Sequence, residues 1–148
     1  LSLFEVLQMA LSASYAQVLF ENAVEVRHAV VKASVTLYGG TLACNDSGVA
    51  RPYTGALAAA GATLLGFPIN TIVESTGSDY TLATAAVYRR GCPFVCQAKS
   101  GDAPGVSQIG GFVALYDNFT AQTTLTSGYV QAILIEVKTT GDLVVRLP

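Results

Sequence analysis

From Val30 onward the chain is cut into short apolar runs by turn residues, about every 8 to 12 residues, and this spacing limits the fold more than any other feature. "VVKASVTLYGGTLACNDSGVARPY" reads as strand, Gly-Gly turn, strand, Asn-Asp-Ser-Gly turn, strand. "ATLLGFPI" is a strand with Pro68 near its end, and Gly61 and Gly66 argue against a long helix around it. "TLATAAVYRR" and "CPFVCQA" follow as strands around Gly91, and "KSGDAPG" is a loop. "GGFVALYD", "TAQTTL", "YVQAILIEVK" and "LVVRL" complete the series. Many short strands at this spacing predict an all-β fold, a small barrel or sandwich of short antiparallel strands. No fixed-period repeat is legible in the residues.

The first stretch differs. Residues 1–29 contain neither Gly nor Pro. Leu3, Phe4, Val6, Leu7 and Leu11 fit one face of a short helix that Ser2 could cap, while "ENAVEVRHAVVKA" looks more extended. Two units are therefore expected: an N-terminal arm or short helix over 1–29, and a β-rich domain over 30–148. The five apolar residues are the expected contacts to a neighbouring subunit. Ser2, Glu5, Gln8, Ser12, Ser14 and Gln17 interrupt the stretch, so it predicts no membrane span. It also lacks the basic n-region of a secretion signal.

"YRRGCPFVCQA" raises the question of chemistry, because Cys92 and Cys96 stand four apart. On a strand, residues four apart lie ~13 Å apart, too far for one metal ion or a disulfide. Cys44 is the third cysteine and His28 the only histidine, so a zinc site would need ligands gathered from distant segments. The expectation is three reduced cysteines behaving as small hydrophobes. His28 has no G-x-S-x-G nucleophile beside it in the sequence, and no carboxylate cluster stands out. Asp102 and Asp117 fall in loops, Asp79 and Asp142 in turns, where Asp commonly serves turn geometry. Arg89 and Arg90 are adjacent and face opposite sides of a strand. No enzyme, metal or cofactor is predicted.

Charged residues make up 12% of the chain against 51% hydrophobic, and the net charge is −2. No basic stripe exists, so nucleic acid is not an expected partner. A surface this poor in charge suits a protein largely covered by partners.

The ordered strand text resembles the capsid cement, or head decoration, proteins of tailed bacteriophages. In that family a Lys-Ala segment leads to an aromatic-Gly pair, a strand, a turn and a Gly-apolar step; here these are Lys32, Ala33, Tyr38, Gly39, Gly48 and Val49. "GATLLGFPINTIVESTGSD" is similar to the family's next segment. Val87, Arg89 or Arg90, Gly91 and Phe94 match its V-x-R-x-G-x-F strand. Gly111, Tyr116, Asp117 and Thr120 follow its next loop and strand with one-residue slippage. Val145 and Leu147 fit the closing hairpin, although its tryptophan is absent and Ala132 stands where a glycine is expected. The resemblance covers roughly residues 30–148 and brings no catalytic, metal or cofactor-binding residue. It implies a protein made in the host cytoplasm that binds the major capsid protein on the outer surface of the virion. It also implies self-association, as a trimer or alternatively a dimer, with no membrane partner. Another virion β-module, such as a tail or receptor-binding component, is the competing expectation.

Overall fold

The computed structural model describes residues 24–79 and 82–148. In chain order the elements are β1 (Val24–Val31), β2 (Thr36–Leu37), β3 (Ala43–Asp46), β4 (Val49–Pro52), α1 (Gly55–Ala59), β5 (Thr63–Pro68), β6 (Ile72–Val73) and β7 (Ala83–Arg89). They continue with β8 (Pro93–Ala98), a 3-10 turn (Val106–Gln108), β9 (Phe112–Asp117), β10 (Thr120–Gln122), β11 (Gln131–Val137) and β12 (Leu143–Arg146). The all-β expectation holds, and it takes the form of two closed barrels. β1-β4-β3-β5-β7 close the first and β10-β8-β12-β11-β9 the second, while β2 and β6 form a separate two-stranded ladder. Closure removes most of the unpaired strand edges that an open sheet would present.

The turns explain the strand boundaries. Ser47 (φ 53°) and Gly48 (φ 93°) both take positive φ, the type I′ geometry that joins two strands with right-handed twist. The side-chain oxygen of Asn45 accepts from the Gly48 amide at 2.8 Å, which holds that turn. The only α-helix among the described residues is one short segment. Thr54 caps it, its hydroxyl oxygen accepting from the Leu57 amide at 3.1 Å. Small residues here make a brief helix rather than none, because the cap satisfies an amide that the first turn leaves free.

One expected boundary moves. Residues 24–29, placed with the arm on sequence grounds, belong to β1, which pairs with β7 from Val24↔Arg89 to Val30↔Ala83. The alternation of Val24 and Val26 with Glu25 and Arg27 is thus a strand signal, one side of it facing the barrel interior. The expected contact residues Leu3, Phe4, Val6, Leu7 and Leu11 lie outside the described residues.

The two barrels share one connectivity. In each, the first strand runs parallel to the third (β1 with β4, β8 with β10), and every other neighbouring pair is antiparallel. The ladders also agree residue by residue. Ala29↔Thr84 corresponds to Cys96↔Leu143, and Phe67↔Val87 to Ile133↔Arg146. Ala43↔Gly66 corresponds to Val113↔Ala132, and Val31↔Ala50 to Ala98↔Ala121. The fold is therefore a tandem repeat, invisible in the sequence because loops of unequal length break any constant period.

The cores are unequal. Val31, Leu37, Ala43, Ala50, Leu65 and Ala86 fill the first barrel. The second core is larger: Cys96, Val113, Leu115, Leu134, Leu143 and Val145 line it, and Leu42, Cys44 and Tyr53 of the first half join it. Leu64 and Phe67, on the outer side of the first barrel, pack against that same core. One hydrophobic mass thus welds the outer wall of the first barrel to the interior of the second.

Candidate interaction surface

Where the barrels meet, a groove of about 720 Å³ opens on the surface. Phe67 and Val87 line it from the first barrel, and Cys92, Phe94, Val95 and Phe119 from the second. Phe67 and Phe94 meet edge-to-face, their ring centroids 4.9 Å apart. Such a pair adds about 0.5–1.5 kcal/mol to the burial term. Arg89 supplies the groove's charge. Its neighbour Arg90 points elsewhere and donates to the Pro148 carbonyl at 3.2 Å, so the two arginines do part company as expected of adjacent strand residues.

The residues that raised the question of chemistry do not converge. His28 is exposed on β1, paired with Ala85. All three cysteines are free thiols. Cys44 and Cys96 are buried in the shared core, while Cys92 lines the groove. Among the described residues no group of three or more His, Cys, Asp or Glu could hold a metal ion. Asp102 plays the turn role: its carboxylate accepts from the Thr124 amide at 3.0 Å, and that bond holds its carboxyl below the ordinary range.

Burial makes the core thiols poor nucleophiles. Cys96 is pushed up from 9.0 to about 12, first by burial and then by the carboxylates of Asp117 and Asp142. Burial, with a smaller push from Asp46, raises Cys44 as well. Tyr53 rises from 10.0 to about 12, again mainly through burial. Because these folded-state values lie above the unfolded ones, the unfolded chain gives up its protons first. Their contribution to stability is complete below pH ~9 and is lost as pH rises toward 12. Urea denaturation midpoints should therefore fall steadily from pH 9 upward. Cys96→Ala should flatten the early part of that fall; a midpoint unchanged between pH 8 and pH 11 would contradict the burial described here.

A second apolar surface lies on the outside of the second barrel. Phe112↔Ile133, Ile133↔Arg146 and Arg146↔Pro93 are successive cross-strand partners, so these four side chains form one row across β9, β11, β12 and β8. Phe112 is 50% exposed and Ile135, next to the row, 37%. Ile109, Ile133, Ile135, Pro93 and Arg146 line a cleft of about 430 Å³ there. Sequence reading missed this row, yet a signal existed. "GGFVALYD" and "AILIEV" are apolar at consecutive positions instead of alternating, the pattern of strands covered on both faces.

Comparison with protein-family models, curated proteins and solved structures finds no match.

Proposed function

We propose that the protein is a non-enzymatic virion component, a cement or head decoration protein that binds the outside of the major capsid protein shell. In this role it stabilises the head after expansion and DNA packaging. The observation that carries this reading is the ordered series of family-like segments over residues 30–148, from Lys32-Ala33 to Val145 and Leu147. Three features support it. The described residues are mainly β, with ten strands closed into two barrels. Cys44 and Cys96 are buried in its core, and burial raises both thiols. Its open surfaces, the inter-barrel groove and the Phe112 row, are apolar with little charge, as interface centres are.

The mechanism is mass action without chemistry. A protein that binds the expanded shell and not its dissociated parts stabilises it by about 2.7 kcal/mol per site at a hundredfold excess over Kd. Many copies multiply that term across the shell, and self-association, as a trimer or else a dimer, adds avidity. With eight basic and ten acidic residues in the chain, binding should depend weakly on salt.

The test compares heads carrying the protein with heads stripped of it, reading the temperature at which DNA is released. Decorated heads should hold their DNA to a higher temperature. Equal release temperatures would remove the cement mechanism and favour a tail or receptor-binding module. Deleting residues 1–12, which removes Leu3, Phe4, Val6, Leu7 and Leu11, should weaken attachment to heads while the barrels stay folded. Unchanged attachment would exclude those residues as contacts.

A further inference from the structure

The two barrels answer to each other position by position, but the same outer row meets different fates in each. In the first barrel the row runs Leu42, Phe67, Val87, Val26. Phe67↔Val87 and Val87↔Val26 are direct partners, and Leu42 follows from Ala43↔Gly66. Its equivalents in the second barrel are Phe112, Ile133, Arg146 and Pro93. Leu42 is buried in the second barrel's core, and Phe67 packs against that core and meets Phe94 at the inward-facing end of β8. Among the described residues nothing covers Phe112 and its neighbours in this way: Phe112 is 50% exposed beside an apolar cleft. One barrel's outer row seats it on the next barrel, and the next barrel carries the same row with no barrel of the described residues against it.

We infer that the Phe112–Ile133–Arg146–Pro93 face docks on the first barrel of a second copy of this chain, repeating head-to-tail the relation that the two barrels have within one chain. The receiving surface is the first barrel's counterpart of the Phe94 site. The residue equivalent to Phe94 is Arg27, since Arg27↔Ala86 matches Phe94↔Val145. Around it Glu25, Tyr88, Arg90 and Pro148 line an open cleft of about 350 Å³. The Arg27 guanidinium lies 4.0 Å over the Tyr88 ring and donates to the Leu64 carbonyl at 2.8 Å. Arg27 is thereby held flat and is paired with Glu25 at 3.2 Å, so the Tyr88 edge and the arginine stem form a seat bordered by charged groups. Donor and acceptor faces differ, so the contact is heterologous and builds a ring where the rotation closes. Nothing in this contact requires a capsid shell, so its failure and that of the cement role are separate results.

A photo-crosslinking amino acid in place of Phe112, in the full chain, reads the partner directly. Cross-links to residues 25–27 or 88–90 of a second copy are expected. Cross-links to residues 109–135 of a second copy would mean a two-fold, face-to-face contact. Cross-links to residues 1–23 would mean that the N-terminal segment covers the face. Either would overturn the head-to-tail contact. In sedimentation, the double variant Phe112→Lys, Ile135→Lys should self-associate roughly 100-fold more weakly than the parent. Its melting temperature at a concentration where both are monomeric should match the parent's, because both positions face solvent. A parent that stays monomeric at every concentration, or a variant that associates as the parent does, would also overturn it.

Discussion

Replacing Gly66 by alanine is expected to destabilise the first barrel by ~3–5 kcal/mol. Gly66 has φ +125°, a region that L side chains rarely adopt, at a cost of ~1–3 kcal/mol. The added methyl would stand 2.6 Å from the Val87 carbonyl oxygen and 2.9 Å from the Tyr88 nitrogen. Both are backbone atoms of β7 and cannot swing aside as a flexible side chain would, so overpacking adds about 1–3 kcal/mol more. The position sits where the β3–β5 ladder slips by one residue, leaving Leu65 as the extra residue of a bulge. Moving β5 off β7 would also withdraw Phe67 from the second barrel's core, so inter-barrel packing should loosen with it. The counterpart in the second barrel is Ala132, fully buried with its methyl accommodated. Ala132→Gly should cost only ~0.5–1 kcal/mol, the usual penalty of glycine in a strand. Urea denaturation of the two variants checks the pair; equal effects at 66 and 132 would contradict the local geometry.

Tyr53→Phe is expected to cost ~2–4 kcal/mol, a large loss for one oxygen atom. Tyr53 is fully buried, and its hydroxyl donates to the Leu115 carbonyl at 2.9 Å and accepts from the Val130 amide at 3.1 Å. Leu115 lies on β9 of the second barrel and Val130 just before β11, while Tyr53 follows β4 of the first. The phenol thus pins the first barrel to two segments of the second. Removing the oxygen strands the buried Leu115 carbonyl and the half-buried Val130 amide, each worth ~1–3 kcal/mol when unsatisfied. The ring remains, so no cavity forms; Tyr53→Ala would add one and should cost more. Chemical denaturation with an unchanged slope would show a pure stability loss. A phenylalanine variant within ~0.5 kcal/mol of the parent would show that the two hydrogen bonds carry little net weight.

Local chemistry was legible from the residues alone. Turn signals such as Asn45–Gly48 work within a few residues, so β3 to β5 and β7 to β12 fall close to where apolar runs and glycines put them. The same locality explains why Cys92 and Cys96 could be read as unsuited to sharing a metal: their separation follows from strand rise alone. β6 is too short to carry periodicity, and β2 lies inside the one strand expected before Gly39-Gly40, which the structure breaks between Val31 and Thr36. β1 was assigned in part to an arm because its inner face ends in Glu25 and Arg27, polar residues that a strand signal does not anticipate at a barrel's mouth. Arg27 is tolerable there only because the Tyr88 ring and the Leu64 carbonyl receive it, and both are distant in sequence.

By itself, then, the sequence determined the class of structure: short strands, most turn positions and an apolar, weakly charged chain suited to a small barrel or sandwich. Tertiary structure alone decided that the strands close twice, with one connectivity and one register in both halves. Strand partnership depends on contacts between residues far apart in the chain, and a one-residue slip such as the one beside Gly66 costs nothing that a local pattern can register. The same long-range pairing decided which apolar residues become surface. Leu42 and Phe112 occupy equivalent positions, yet Leu42 is 1% exposed and Phe112 50%, because among the described residues the first alone has a second barrel packed against it.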